Sequence, residues 1–195
     1  LTLPGDRDRH ALANQAAAAF VDAGFQAIGI DHFALGNDSL SEAARSGHLR
    51  RNFQGYTVDT CPALIGFGAS SISRFPGGYV QNAAATPAYI QRIEAGELAG
   101  ARGFELSQED LLRARAIEMI MCDFKLNRRE LHQTFGALSA VLEADIAQAE
   151  ARFGDLLQVT DETLDIRPEG RPLTRLVASV FDAHMPADAR FSRAS

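Results

Sequence analysis

Residues 51–73 read RNFQGYTVDTCPALIGFGASSIS and constrain the chain more than any other stretch. A polar loop runs into the apolar segment 63–67, which Pro62 and Gly68 bound and which is too short for a helix. The pattern predicts a strand over 63–67 with Gly66 and Gly68 at its carboxyl end. Glycine lets a backbone approach a ligand because no Cβ intervenes, and Ser70, Ser71 and Ser73 add hydroxyls and backbone donors. In sheets flanked by helices, ligands gather at the carboxyl ends of strands, so this stretch is a candidate site floor. A strand ending in a Gly/Ser turn would read the same way; a lone G-x-G does not separate the two.

Charge and cysteine usage narrow the function. The 195 residues, 46% apolar, suffice for one sizeable domain or two small ones. A net charge of -6, a pI near 5.3 and no run of basic residues argue against nucleic acid or an anionic membrane as partner. With no membrane-length apolar stretch and no secretory leader pattern, the expected location is cytoplasmic. Cys61 and Cys122 stand far apart without metal-ligand spacing and read as free thiols, so this chain offers no metal ligands.

Taken in order, residues 10–22 space Leu12, Ala16, Phe20 and Val21 as an amphipathic helix that stops before Gly24. Residues 25–33 follow as a strand-like run, completing half of an α/β repeat. Asp31 and His32 sit where that strand ends. Strand alternation would turn only one of them to the interior, and His32 is the candidate. Residues 34–50 form a loop with one short helix capped by Asp38 or Ser39. Arg50 and Arg51 precede Gln54 and Tyr56, a cluster able to grip carboxylates through bidentate guanidinium bonds, although a solvated basic pair on a loop gives the same sequence. Thr86 and Pro87 open a helix that ends at Gly96, and residues 97–105 read as a linker between a 1–99 domain and a 100–195 domain. In the second domain, Ser107 to Asp110 resembles a capping box that starts a helix to Asp123. Asn127 opens a second helix, and residues 138–153 carry a third. Residues 156–160 and 163–167 form a hairpin about Asp161 and Glu162, and 171–181 close with a helix. Helices, hairpin and helix describe a winged-helix arrangement. The tail 186–195 is polar and frayed apart from Phe191.

Four segments together carry a resemblance. GIDHFAL (29–35), RNFQGYT (51–57), GFGASSIS (66–73) and YVQN (79–82) resemble, in order and spacing, the second half of the oxygen-independent coproporphyrinogen III oxidases. The resemblance implies an α/β fold: the C-terminal part of an incomplete parallel, TIM-like barrel followed by a mostly helical, winged-helix-like domain. It implies a radical S-adenosylmethionine enzyme of haem and porphyrin biosynthesis, which turns two propionates of coproporphyrinogen III into the vinyl groups of protoporphyrinogen IX through a 5′-deoxyadenosyl radical. By motif match, Ile72 and Gln54 contribute to S-adenosylmethionine binding, with Gly66, Gly68 and Ser70 lining the same site. Arg51 and His32 are substrate-binding candidates. Ser71 departs from the pattern, where relatives can carry alanine.

The resembled enzymes hold a [4Fe-4S] cluster on three closely spaced cysteines, which this chain lacks. With its start at Leu1, that suggests the C-terminal portion of a longer enzyme, inactive alone and without an assignable catalytic residue. Its expected partners are coproporphyrinogen III and the missing N-terminal part of its own barrel. The full-length enzyme is expected to be a monomer, while the isolated portion would tend to self-associate through its exposed edge.

Two rival functions follow. The related haem chaperones bind haem without turnover, but would show a Y-E-x-S-N-Y-A type sequence where this chain has GIDHFAL. A DNA-binding winged helix is opposed by the acidic third helix, with Glu143, Asp145, Glu150 and Asp155 against Arg152.

Overall fold

The structure is a computed structural model that describes residues 4–185. The expectation for 186–195, including Phe191, lies outside the described residues. The chain divides into two compact units: the described residues up to Val58 together with those from Leu112 onward, and Asp59–Leu111.

The first unit opens with helix α1 (Asp6–Asp22), which begins four residues before the expected 10–22 span. Its amphipathic reading is not met, since Leu12, Phe20 and Val21 remain 44–55% exposed. Phe20 alone finds aromatic company, stacking on Phe33 at 4.8 Å and meeting Phe25 edge-on at 5.6 Å. The run 25–33 is not one strand. Strand β1 (Phe25–Ile28) turns at Gly29 and returns as antiparallel β2 (His32–Leu35), pairing Ile28 with His32. Gly29 has φ +57°, and a Cβ there would overlap the Tyr56 ring, so the chain reverses where only glycine fits. Helix α2 (Ser39–Ser46) is capped as expected by Asp38, whose carboxylate accepts from Leu40 N at 2.8 Å. Two-residue strands β3 (Arg50–Arg51) and β4 (Tyr56–Thr57) then enclose the Gln54–Gly55 turn. Ile28, Ala34, Ala43, Leu49, Tyr56 and Cys122 form one buried cluster of this unit.

In the second unit, β5 (Ile72–Phe75), β6 (Gly78–Asn82) and β7 (Gly100–Glu105) make an antiparallel sheet, with helix α3 (Thr86–Glu94) between β6 and β7. Two expectations change here. Residues 63–67 are not a strand; Leu64 makes a single bridge to Arg74, and the groups near Gly66 are taken by Ser73 and Asn82 side chains instead of a ladder. The linker expected at 97–105 is largely β7, because Gly103 and Phe104 pair with Val80 and Tyr79. The boundary placed near residue 100 therefore falls at the start of a paired strand.

Helix α4 (Gln108–Asp123) begins with the expected reciprocal cap: Asp110 N donates to Ser107 Oγ at 3.1 Å, and Ser107 N to Asp110 Oδ2 at 2.9 Å. From Leu112 on, it lines the main core of the first unit. Strand β8 (Lys125–Asn127) and helix α5 (Arg128–Phe135) follow, the latter capped by Asn127 Oδ1 accepting from Glu130 N at 3.0 Å. The expected third helix is a 3-10 turn (Gly136–Leu142) leading into α6 (Glu143–Phe153). Strands β9 (Leu157–Val159) and β10 (Thr163–Ile166) form the expected hairpin, burying Leu157, Leu164 and Ile166. β8 joins the other edge of β10, a strand that the sequence did not announce. A 3-10 turn (Pro168–Leu173) leads to α7 (Thr174–Ser179), shorter than the expected 171–181. Leu112, Ile120, Leu126, Leu131, Leu164 and Phe181 anchor a core of sixteen buried residues.

Every strand pairing among the described residues is antiparallel. The parallel strands expected of a barrel end are therefore absent from these residues. Reversals as tight as Gly29–Asp31 or Pro76–Gly77 can only return a strand antiparallel, since a parallel return needs a crossover of a dozen residues or more.

Candidate functional site

Tyr56 organises the candidate residues of the first unit. Its hydroxyl accepts from Ile30 N at 3.1 Å and donates to Met121 O at 2.8 Å, tying the β1–β2 turn to α4. Burial pushes its pKa up to about 12, so the phenol stays neutral. His32 stands edge-on to the Tyr56 ring at 5.0 Å, and the Arg51 guanidinium lies 5.5 Å from the ring centre. The turn between them is closed by Asn52, whose Oδ1 accepts from Gln54 N at 2.8 Å while its N donates to Gly55 O at 2.9 Å. Gly55 has φ +144°, and a Cβ there would sit 2.8 Å from His32 Nε2. Arg51, His32 and the turn bearing Gln54 are thus brought together, with Gln54 exposed.

The two arginines have separate fates. Arg50 Nη1 donates to Glu118 at 3.1 Å, and Glu118 also receives Arg115 at 2.7 Å, which in turn reaches Glu130. Burial alone would lower the Arg115 pKa, but its bonds to Glu130 and Glu118 outweigh that and raise it. The Arg51 side chain makes no hydrogen bond or ion pair among the described residues, and its Nε is buried without a partner. Arg50 is tied into the Glu118 network, and Arg51 is not.

Asp31 and His32 do not point apart. Because Asp31 lies in the turn and His32 begins β2, the two side chains meet, with Nδ1 2.7 Å from Asp31 Oδ1. Asp31 Oδ2 accepts from Arg175 Nη2 at 2.7 Å.

The remaining candidates belong to the second unit. Asn82 Nδ2 donates to Gly66 O at 3.1 Å and to Gly68 O at 3.0 Å, while Gly66 N donates to Ser73 Oγ and Gly68 N to Tyr89 OH. Gly68 (φ +101°) and Ser70 (φ +62°) occupy the left-handed region. Ser70 O accepts from Gln81 Nε2 at 3.1 Å, and Ile72 on β5 pairs with Gln81 while leaving 36% of its surface exposed. Gly66, Gly68, Ser70 and Ile72 form one hydrogen-bonded neighbourhood. An open groove of about 480 Å³ over Phe75, Tyr79, Val80 and Phe104 includes none of them.

Cys122 is buried, which pushes its thiol up to about 12. Cys61 is exposed, and the hydrogen bond to Asp59 raises its pKa. No group of three or more His, Cys, Asp or Glu among the described residues could hold a metal ion. No described helix is long and apolar enough to cross a membrane.

Sequence reasoning placed Tyr56 in the carboxylate-gripping cluster but not as the buried link it is, and it gave no role to Asn82 or Arg175. Tyr56 and Asn82 lie inside motifs already singled out. Arg175 gave no local signal, since its partner is 144 residues away.

These features belong to a mixed α/β fold that gathers polar groups about Tyr56 in one unit and about Gly66 to Ile72 in the other. Known proteins share that fold. A solved coproporphyrinogen III oxidase (HemN) from Escherichia coli, described as a radical SAM enzyme, superposes with a TM-score of 0.87 at 31% identity, over 94% of this chain and 43% of its own. No family model matches the chain. Among curated proteins, an oxygen-independent coproporphyrinogen III oxidase of Cereibacter sphaeroides is 54% identical over 194 residues, 99% of this chain and 43% of the relative. Those of Paracoccus denitrificans and Salmonella typhimurium are 44% and 32% identical, again over 43% of their length. The chain is therefore similar, over nearly its whole length, to one part of the oxygen-independent coproporphyrinogen III oxidases, and it spans 43% of the length of each of these relatives.

Proposed function

We propose that the chain is the C-terminal part of an enzyme that oxidatively decarboxylates two propionates of coproporphyrinogen III, acting in the cytoplasm. The carrying observation is the 54% identity, sustained over 99% of the chain, to a protein of that name. The exposed apolar side chains of the second unit, Phe67 at 84% and Leu98 at 93%, support a further N-terminal part as the partner that covers them. The helices α4 to α7 with the β8–β10–β9 sheet support the winged-helix-like description of the C-terminal portion.

The cluster does not fit this chain, whose two cysteines stand apart with one buried, so its ligands belong to the other part of the enzyme. S-adenosylmethionine does fit the second unit's candidates, where Ile72 offers a partly open apolar surface and Gly68 and Ser70 bring backbone close without bulk. Gln54, in the first unit, presents an exposed amide of its own. When bound, the cluster and S-adenosylmethionine supply the one-electron chemistry. The chain's own residues orient: Arg51, without an ion-pair partner, and His32 beside it face the carboxylates of the substrate.

The test is anaerobic turnover of coproporphyrinogen III by the protein completed to the length of its relatives, with the 195-residue chain run in parallel. Vinyl product from the former and none from the latter is expected. Haem retention without turnover in a cluster-replete protein would overturn the reading in favour of a chaperone. Ile72→Asp should lower turnover with the cluster intact, because a charge would intrude on an adenine-binding surface. Full activity would remove Ile72 from the site.

A further inference from the structure

Three side chains from opposite ends of the chain form a line that ends on the Gln54–Gly55 turn. Arg175 on α7 donates to Asp31 Oδ2 at 2.7 Å, and Asp31 Oδ1 lies 2.7 Å from Nδ1 of His32. A carboxylate in that contact accepts, so the Nδ1 position carries the proton. The opposite nitrogen, Nε2, has no hydrogen-bond partner among the described residues. It lies against Gly55, where a Cβ would come within 2.8 Å, and the imidazole side chain is 39% exposed. The ring cannot easily swing away, because it rests edge-on against Tyr56, which is itself pinned between Ile30 N and Met121 O.

We propose that Arg175 and Asp31 are positioning residues for His32, holding it with Nδ1 protonated and Nε2 presented at the Gln54–Gly55 turn to a ligand carboxylate. Arg175 fixes both the place and the charge of the Asp31 carboxylate. Asp31 in turn selects one of the two imidazole tautomers. As a carboxylate approaches, Nε2 takes a proton from solvent water and donates it in a hydrogen bond to that carboxylate, and the resulting imidazolium lies between two carboxylates, one from the protein and one from the ligand. Arg51, just before Asn52 and with its guanidinium 5.5 Å from the centre of the Tyr56 ring, supplies a second cationic group for the same ligand. The inference rests on the reading of His32 as substrate-facing, and it adds a contribution from the last helix that the motifs around His32 do not contain.

Nitrogen NMR of the ¹⁵N-histidine-labelled chain reads the tautomer directly. His32 is expected to be Nδ1-protonated when neutral, and Asp31→Asn should shift it towards the Nε2-protonated form. Arg175→Met should produce a smaller shift in the same direction, which Arg175→Lys largely reverses. An Nε2-protonated His32 in the unsubstituted chain overturns the relay, and that measurement does not depend on whether any variant folds. In the protein completed to family length, His32→Ala should raise the KM for coproporphyrinogen III on the order of 10-fold, and Arg175→Met by about 3-fold, with kcat little changed, as loss of a charge-assisted hydrogen bond predicts. The expected tautomer with unchanged KM in both variants would overturn the ligand-facing role and leave the oxidase reading standing. Absence of turnover in the unsubstituted protein would strike the oxidase reading, while the NMR result would still decide the relay.

Discussion

The two compact units bury their apolar residues very differently. In the unit that joins the N-terminal hairpins to the helices after Leu112, both hydrophobic clusters are found, and Leu112, Ile120, Leu126, Leu164 and Phe181 are fully buried. In Asp59–Leu111, the buried residues are Ser73, Gly78, Ala83 and Ala99, while Ile65, Phe67, Ile93 and Leu98 remain at least half exposed. The first unit has a core of the ordinary kind. The second is held by its sheet and by side chains that bond to backbone, chiefly Asn82, Ser73, Tyr89 and Arg92. The first therefore accounts for its own stability, whereas the second is a hydrogen-bonded frame that leaves large apolar side chains exposed.

The sharpest way to break this contrast is a pair of truncations. Phe181→Ala should cost about 3–5 kcal/mol, since Phe181 is 0% exposed and leaves a cavity. Phe67→Ala should change the stability of the same chain by less than about 0.5 kcal/mol, because the ring is 84% exposed. Denaturant titration of the two variants decides the matter, and equal losses would mean that the second unit packs better than it looks.

Next in size is Gly55→Ala. It forces φ +144° on a residue with a Cβ and pushes on His32, costing about 1–3 kcal/mol and disturbing the His32 signals in NMR. Unperturbed histidine signals would show that the turn and His32 are not coupled.

Asn82→Ala removes the donor shared by Gly66 O and Gly68 O. A loss of about 1–3 kcal/mol is expected to fall on the second unit alone. Hydrogen exchange should show amides of 66–83 losing protection while those of α4 keep theirs. A uniform loss of protection would instead mean that both units unfold together.

A last effect needs no substitution. Tyr56 and Cys122, both in the first unit, have folded pKa values raised to about 12 from ordinary values of 10.0 and 9.0. Between those limits the folded state holds protons that the unfolded state releases. The contribution of these two groups to stability should therefore be flat below pH 9 and decline progressively as pH rises from 9 towards 12. Tyr56→Phe should flatten the upper part of that decline; an unchanged profile would place the loss elsewhere.

The sequence by itself determined the local elements whose signals lie within a few residues: the Asp38 and Asn127 caps, the Ser107–Asp110 box, the hairpin about Asp161 and the burial of Leu164 and Ile166. Capping and alternation are short-range physics, and they read directly. It also carried the resemblance, since GIDHFAL, RNFQGYT and GFGASSIS in that order and spacing point to the same proteins as the 54% identity over 99% of the chain. Only the tertiary structure decided that residues 25–33 fold back at Gly29, where the Tyr56 ring fills the space a Cβ would need. Likewise it decided that Arg50 is tied to Glu118 while Arg51 stays open, and that Arg175 reaches Asp31 across 144 residues. Such choices depend on which distant group arrives to satisfy a buried donor or a charge, and no window along the chain contains both partners.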